Sequence, residues 1–217
     1  MGLFGQAIYD HFHNCDPEAF FVCNEQGEYQ LDLSFYLTPT ADELEEAMLA
    51  HAVGRCLDIG CGAGRILRYL RAKSYFVVGI DIDPQLIQLC QELGDSLVHL
   101  VSWEMMGELG CFDTFMLLNR SIGIGGNLDG IKRLLGQCAT SASSGGVLLF
   151  DSYEISDPSG ILERILRYKY RGQYSDPFPW IYIGSEIAQR LLAETGWSCE
   201  MVIQSGDRYG VVARKAS

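Results

Sequence analysis

Three glycines and two aspartates lie on neighbouring segments of the chain with the spacing of a ligand-binding turn. Gly60, Gly62 and Gly64 alternate directly after an apolar run that contains Asp58, and Asp81 ends the next apolar run. Glycines permit positive φ and let the backbone approach a ligand that a Cβ would exclude. A carboxylate at the end of a second strand can accept hydrogen bonds from both hydroxyls of a ribose. The pattern therefore predicts a site for a cofactor that contains adenosine.

The spacing of the glycines distinguishes two classes of cofactor. A dinucleotide-binding turn has the pattern G-x-G-x-x-G, and its third glycine would fall where this chain has Arg65. The pattern found is G-x-G-x-G, which disfavours a nicotinamide-dependent oxidoreductase. Asp81 alone does not decide the question, because a ribose-binding carboxylate serves either cofactor.

The elements that must position this turn alternate regularly from residue 55 onward. Strands are predicted over Arg55–Ile59, Phe76–Asp81, Leu97–Ser102, Phe112–Leu118 and Gly146–Phe150, and helices over Gly64–Ala72, Pro84–Leu93 and Asp129–Ala139. Apolar strands separated by helices indicate a parallel sheet covered on both faces, and ligands bind at the carboxyl ends of its strands. A helix over Ser185–Thr195 and two strands around "SGD" predict a closing antiparallel hairpin, and "ATSASSGG" (139–146) is expected to be a loop.

Residues 1–52 lack this alternation and are predicted to form an N-terminal helical extension to a domain that covers residues 53–217. A short helix is expected over Gly2–His13 and a strand-like segment over Tyr29–Leu37. A second helix is expected to begin at Thr40, with Glu43 completing a capping box. The extension is either a lid that closes over the site or a permanent cover of the sheet.

Two segments resemble the first and second motifs of the class I S-adenosylmethionine-dependent methyltransferases. They are "LDIGCGAGR" and "VVGIDIDPQLI", and the likeness extends over roughly residues 53–215. The resemblance implies an α/β fold with a doubly wound, Rossmann-like, seven-stranded sheet. The implied strand order is 3-2-1-4-5-7-6, with the last strand antiparallel. It also implies S-adenosyl-L-methionine as the cofactor.

The resemblance further implies roles for individual residues. The glycines would line the methionine portion of the cofactor, Asp81 would bind the ribose, and Asp58 would lie near the ammonium group. The cofactor-binding residues predicted in this way are Asp58, Gly60, Cys61, Gly62, Gly64, Asp81, Ile82, Ser102, Trp103 and Asn119. Trp103 either stacks on the adenine or packs at a strand end. Asn119 either contacts the methionine side or holds its own turn.

A sulfonium cofactor carries its own leaving group, so no compulsory catalytic side chain is expected. The protein aligns the acceptor with the methyl carbon, and a base is needed only if the acceptor is protonated at the working pH. The candidates for a base or an orienting group are Asn119, Arg120, Asp151 and Tyr153. The four histidines (His11, His13, His51 and His99) are expected to lie outside the cleft, although His11 and His13 could reach it if the N-terminal segment folds over as a lid.

The formal net charge of −12 disfavours nucleic acid and anionic lipid as partners. Phe178, Trp180 and Tyr182 would wall an apolar pocket, or pack their own connection onto the sheet. The segment Ile161–Tyr174 interleaves basic and aromatic residues, a pattern that suits single-stranded RNA or a solvated helix face. We therefore expect a small-molecule acceptor. The alternatives are an RNA methyltransferase, a non-catalytic S-adenosylmethionine-binding protein and, less favoured, a nicotinamide-dependent oxidoreductase.

The eight cysteines include no C-x-x-C pair and no histidine at zinc-finger spacing, so no metal site is expected. Scattered thiols in apolar runs are typical of reduced core cysteines, which predicts a cytoplasmic protein. No apolar run approaches the roughly 18 residues that a membrane span needs, so no membrane partner is expected.

Overall fold

A computed structural model describes residues 2–15 and 18–216. Seven α-helices and twelve strands lie within these residues: α1 (Leu3–Phe12), β1 (Phe20–Asn24), β2 (Gly27–Leu31), α2 (Ser34–Leu37), α3 (Glu43–Leu49), β3 (Arg55–Ile59), α4 (Arg65–Ala72), β4 (Phe76–Asp81), α5 (Pro84–Glu92), β5 (Val98–Leu100), β6 (Phe112–Leu117), α6 (Leu128–Ser141), β7 (Ala142–Tyr153), β8 (Ile161–Tyr170), β9 (Gln173–Tyr174), β10 (Phe178–Ile183), α7 (Ser185–Glu194), β11 (Trp197–Ser205) and β12 (Arg208–Lys215). Two 3-10 helices span Trp103–Leu109 and Ser121–Gly125.

The central sheet of the described residues has seven strands in the order β11-β12-β7-β6-β3-β4-β5. Numbered from β3, this is the order 3-2-1-4-5-7-6. Strands β3 to β7 pair in parallel, while β12 pairs antiparallel with both β7 and β11. The predicted doubly wound, Rossmann-like sheet with an antiparallel last strand is confirmed.

Helices cover both faces of this sheet, which explains the nearly continuous apolar strands. In β3, Leu57 packs on the face covered by α6 and α7, and the preceding Cys56 packs on the face covered by α3, α4 and α5. Successive side chains of a strand point to opposite faces, so both must be apolar here. Their complete burial fixes the end of β3, where the glycine turn begins.

A second, antiparallel sheet has the order β10-β8-β1-β2, and the short β9 also pairs with β8. The sequence did not predict it. Ile161–Tyr170 was expected to present a helix face but forms a strand, in which Leu166 is buried and its neighbour Ile165 is 58% exposed. The expected strand-like segment Tyr29–Leu37 ends as a strand at Leu31 and continues into α2. Residues 1–52 thus contribute two strands as well as helices.

Helix α1 packs against α5 and the second sheet. Its Ala7 and Ile8 are completely buried. Asp10 is also buried and accepts hydrogen bonds from the Tyr170 hydroxyl and from Gln6 Nε2, both at 3.1 Å. A buried carboxylate that lost these donors would carry the full desolvation penalty, so the contacts hold the middle of α1 in place.

Gly5 in α1 lies against the carboxylate of Asp83, so a side chain at this position is expected to lower stability. A Cβ at this position would lie 2.4 Å from Asp83 Oδ1, the atom that accepts the Gln85 N–H at 2.9 Å and caps α5. A Gly→Ala change inside a helix ordinarily stabilises it by up to about 1 kcal/mol. Here we expect Gly5→Ala to destabilise the protein by about 1 kcal/mol, because the cap must give way.

Urea unfolding measures the effect. Gly136→Ala is the matched control, since Gly136 lies within α6 and its Cβ would meet nothing within 4 Å. We expect the control to stabilise the protein by about 0.5–1 kcal/mol. Equal stabilisation by both variants would contradict the close contact between α1 and Asp83.

Some predicted boundaries were wrong. Helix α3 begins at Glu43, and its capping box consists of Asp42 and Glu45, not of Thr40 and Glu43. The expected loop 139–146 is divided between the end of α6 and the start of β7, because Ala142 pairs with Phe112 of β6. In the described part of the chain, every helix is too short or too polar to span a lipid bilayer.

Candidate active site

A cleft of about 1620 Å³ lies at the carboxyl ends of the parallel strands, beneath the second sheet and the first turn of α1. It brings together most of the residues singled out from the sequence. Those that line it are Asp58, Gly60, Cys61, Gly62, Asp81, Ile82, Ser102, Trp103, Asn119, Arg120 and Tyr153. Gly64, Asp151 and the four histidines are not among the lining residues.

The glycine turn leaves open space on its cleft side. Gly60 and Gly62 have φ of 74° and 55°, which L side chains rarely adopt. Among the described residues, a Cβ on Gly62 would meet no atom within 4 Å, and one on Gly60 would meet only Ser121 Oγ at 3.8 Å. The backbone N–H groups of Gly60 and Cys61 donate to the Ile80 carbonyl and fasten the turn to β4. This is a cradle that a ligand can approach closely.

Gly64 serves packing instead of lining the cleft. Its φ is 78°, and a Cβ there would lie 2.7 Å from Asp95 Oδ2 and 3.1 Å from Cys90 Sγ. It is the N-cap residue of α4. The structure therefore does not place Gly64 at the cleft, although the spacing of the three glycines suggested a single role.

Asp81 is held in a fixed orientation at the end of β4. Its Oδ2 accepts the Gly62 N–H and its Oδ1 accepts the Asp83 N–H, both at 2.9 Å. Each carboxylate oxygen retains a second lone-pair site, so the group can still accept bonds from two hydroxyls. Burial raises the pKa of Asp81, while these backbone donors oppose the shift. The geometry fits the ribose-binding role.

Asp58 at the end of β3 is buried and only 5% exposed. Burial raises the pKa of Asp58 to about 7, opposed by the nearby Arg65 guanidinium. No side chain or backbone N–H in residues 2–15 and 18–216 donates a hydrogen bond to its carboxylate. A buried carboxylate without a donor, beside an open glycine turn, fits the ammonium group of an amino-acid ligand.

Asn119 and Arg120 follow β6 on the other side of the glycine turn. Both are in the left-handed region, with φ of 56° and 64°, which costs about 1–2 kcal/mol for each such residue. Arg120 Nη1 donates to the Tyr153 hydroxyl at 2.8 Å, and Nη2 donates to Asn119 Oδ1. The turn thus holds a guanidinium and an amide at the cleft.

Asp151 does not reach the cleft. It is completely buried, its Oδ1 accepts the Arg120 N–H at 2.9 Å, and its Oδ2 accepts from Arg208 Nη2 at 3.1 Å. Burial raises the pKa of Asp151, and the two arginines oppose the shift. Asp151, one of the candidates for a base or an orienting group, therefore lies behind the cleft, where its contacts support the strained turn at Arg120.

Trp103 both lines the cleft and packs at a strand end. It lines the cleft, packs against the core cluster beneath α6, and has the Arg133 guanidinium 6.0 Å from its ring centroid. The neighbouring Ser102 Oγ accepts the Glu104 N–H at 3.2 Å, and Glu104 also lines the cleft. The end of β5 thus presents one ring and one carboxylate.

Aromatic side chains form the opposite wall of the cleft. They come from α1, α2, β8 and β10, and they are Phe4, Tyr36, Tyr168, Tyr170, Phe178, Trp180 and Tyr182. The ring centroids of Tyr182 and Tyr153 are 5.5 Å apart, and Tyr36 lies near Asn119 and Arg120, which lower its pKa against the effect of burial. Sequence reasoning missed Phe4, Tyr36 and Tyr168 as site residues. The signal was the density of aromatics in the first fifty residues, without any sign of where they would fold.

Residues 56–146 match a family model described as "Methyltransferase domain". A search of solved structures finds an S-adenosylmethionine-dependent methyltransferase from Bacteroides fragilis, solved with S-adenosyl-L-homocysteine. It is 25% identical, has a TM-score of 0.89, and the match covers 99% of this chain and 94% of the other. The CcbJ methyltransferase from Streptomyces caelestis is 14% identical with a TM-score of 0.64, covering 84% and 92%, and shows the fold alone.

Among curated proteins, the chain is similar to the 18S rRNA (guanine-N(7))-methyltransferase bud23 of Schizosaccharomyces pombe. The two are 29% identical over 82 residues, which is 37% of this chain. The match spans only 31% of the length of that relative. The likeness is therefore local.

Proposed function

We propose that this chain is a class I S-adenosylmethionine-dependent methyltransferase, and that it transfers the methyl group of its cofactor to a small-molecule acceptor. The class of acceptor is inferred from the aromatic walls of the cleft. The cleft continues from the glycine turn and is covered by the second sheet and α1. Apolar and aromatic walls with a few fixed polar groups are typical of small-molecule sites.

The cofactor supplies an activated methyl group on a sulfonium. Gly60 and Gly62 would hold its methionine portion, Asp81 its ribose and Asp58 its ammonium group. Residues beyond the turn would bind and orient the acceptor and exclude water. Burial raises the pKa of both Tyr36 and Tyr182, so they remain neutral hydroxyls and would orient the acceptor instead of taking its proton.

If Asp58 binds the ammonium group, the affinity for the cofactor is expected to depend on pH. The ammonium group favours the ionised carboxylate, so binding below the ligand-free pKa of about 7 requires Asp58 to release a proton. We expect the association constant for S-adenosylhomocysteine to fall as pH drops through 7, approaching tenfold per unit. Calorimetry in buffers of different ionisation enthalpy counts the released proton. Asp58→Asn should remove the dependence, and an unchanged slope in that variant would exclude Asp58 from the site.

Charge pairing on the second sheet supports a small acceptor over RNA. Two of the three basic residues of β8 that suggested RNA are paired with carboxylates. Arg164 lies 2.6 Å from Glu25, and Lys169 lies 2.6 Å from Glu28. Paired cations attract a phosphate backbone weakly, and the net charge of −12 acts in the same direction.

We propose that residues 1–52 form a cover, and that the first turn of α1 closes the cleft. Gly2, Leu3 and Phe4 line the cleft, while Asp10 anchors the middle of α1 to Tyr170. Cofactor entry would then require only the first turn to move. We further propose a cytoplasmic location, which is supported by eight cysteines that are all free thiols.

The test is methyl transfer from labelled S-adenosylmethionine to a library of small phenols, amines and carboxylic acids, with total RNA as a parallel substrate. We expect label in a small product and none in RNA, and we expect Asp81→Ala to lose the activity. Label in RNA alone would replace the small acceptor with a nucleic acid. Binding of S-adenosylhomocysteine without any product would favour a non-catalytic protein.

A further inference from the structure

Arg120 presents a guanidinium to the cleft with only neutral side-chain partners. Its two donors reach the Tyr153 hydroxyl and the Asn119 amide oxygen. Within residues 2–15 and 18–216, no carboxylate forms an ion pair with it. The other arginines that line the cleft differ in this respect, since Arg65 is paired with Glu45 and Arg171 with Asp10. A half-buried guanidinium in a strongly acidic chain is thus available for an anion.

The position of Arg120 along the edge of the sheet indicates that this anion belongs to the acceptor and not to the cofactor. The strand ends follow the order β5, β4, β3, β6, β7. Asp81 stands at β4 and the glycine turn at β3, whereas the Arg120 guanidinium reaches in the other direction, to Tyr153 at the end of β7. Adjacent strands are about 4.8 Å apart, so the end of β7 lies about 10 Å from the end of β3. With the methionine portion of the cofactor at the glycine turn, as proposed, the guanidinium lies on the side away from Asp81, where the acceptor would bind.

Among the described residues, four of the five carboxylates that line the cleft lie at the ends of neighbouring parallel strands, and the fifth, Asp176, is exposed just before β10. Asp58, Asp81, Asp83 and Glu104 belong to the ends of β3, β4 and β5. This acidic side suits a cationic cofactor and repels a second anion. One guanidinium among neutral hydroxyls, on the far side, matches a single negative charge better than a doubly charged phosphate. Its planar fork fits a carboxylate with two parallel hydrogen bonds.

Three tyrosines surround the guanidinium. Arg120 Cζ lies 5.4 Å from the Tyr153 ring centroid, and Tyr182 packs against Tyr153 at 5.5 Å. Tyr36 also lines the cleft, close enough to Arg120 for the guanidinium charge to lower the pKa of its hydroxyl. A flat ring placed among these side chains would gain stacking contacts while its carboxylate meets Arg120.

We propose that Arg120 binds a carboxylate of the acceptor, and that the acceptor is a small aromatic carboxylic acid whose ring lies among Tyr36, Tyr153 and Tyr182. This inference rests on the proposed function. A hydroxyl or amino group elsewhere on the ring attacks the methyl carbon. The carbon–sulfur bond breaks with its electron pair passing to sulfur, and the proton of the nucleophile leaves to water.

The experiment compares acids with their amides on protein saturated with S-adenosylhomocysteine. The probes are 4-hydroxybenzoate, 2-aminobenzoate and indole-3-carboxylate, each with its primary carboxamide, and the measurement is calorimetry. We expect at least one acid to bind tenfold or more tightly than its amide. Arg120→Met should abolish that preference and Arg120→Lys should keep part of it. Arg167→Met removes an exposed arginine of β8 and should keep the preference whole.

Three results would overturn the inference: no acid binds, acid and amide bind equally, or the preference survives in Arg120→Met. S-adenosylhomocysteine should bind all variants within about twofold. If Arg120→Met weakens it tenfold while 5′-methylthioadenosine, which lacks the amino-acid portion, is unaffected, Arg120 holds the carboxylate of the cofactor and the inference is wrong. Failure of the unsubstituted protein to bind S-adenosylhomocysteine would instead refute the proposed function on which the inference rests.

Discussion

Replacing Asp81 with alanine is expected to weaken the binding of S-adenosylhomocysteine by about 1.5–3 kcal/mol, the range for hydrogen bonds to a charged group. This corresponds to roughly a 10- to 150-fold increase in Kd. The carboxylate would bind the ribose hydroxyls, and it also accepts the Gly62 and Asp83 N–H groups that shape the turn. Its loss therefore removes both a ligand contact and the support of the cradle.

Calorimetry gives the affinity, and unfolding in urea shows whether the variant is folded. Asp157→Ala is a matched control, because Asp157 is exposed, accepts the Ser159 N–H at 2.9 Å in a surface turn and does not line the cleft. The control should bind S-adenosylhomocysteine as the unsubstituted protein does. An unchanged Kd in a folded Asp81→Ala variant would remove Asp81 from the site.

Replacing Glu45 with alanine is expected to lower the free energy of unfolding by about 3–5 kcal/mol, because it leaves an uncompensated buried charge. Glu45 of α3 is completely buried and is paired with Arg65, the first residue of α4 after the glycine turn. Arg65 is only 6% exposed and also donates to the Thr40 carbonyl at 2.5 Å. The pair joins the N-terminal segment to the helix that leads away from the turn.

The double variant Glu45→Leu, Arg65→Met separates charge from packing. A buried ion pair replaced by apolar side chains of similar volume is often neutral or even stabilising. We expect urea unfolding of the double variant to recover most of the stability that the single variant loses. A single variant that loses less than about 1 kcal/mol would show that Arg65 finds water or another partner, and that the pair is not a buried brace.

The central sheet was predictable because its signals are local. The strands β3 and β4 are short apolar runs, and each is followed by a helical period with a glycine or proline signal, as in Arg55–Ile59 and Arg65–Ala72. The second sheet was not predictable in the same way. Its β1 pairs with β8 across most of the chain, so that Phe21 faces Lys169. No short-range pattern encodes such a pairing, and the aromatic and basic residues of β8 resembled a polar helix face.

The site residues differ in the same way: some follow from local sequence signals, and others depend on contacts between distant parts of the chain. The open turn at Gly62 and the carboxylate of Asp81 follow from residues that are close in sequence. The burial of Asp151 was not predictable from the sequence, because it depends on a contact with Arg208, which lies 57 positions later in the chain. Only part of the aromatic wall was predictable from the sequence. Trp180 belongs to β10, and the strand that pairs with it, β8, had been interpreted as a helix face.

The most direct test of the account is calorimetric titration of the unsubstituted protein with S-adenosylhomocysteine and, separately, with NADH. The open glycine turn, the donor-free Asp58 and the oriented Asp81 all lead to the same expectation. S-adenosylhomocysteine should bind saturably with one site per chain, and NADH should give no binding heat. Saturable binding of NADH with no response to S-adenosylhomocysteine would contradict the central claim.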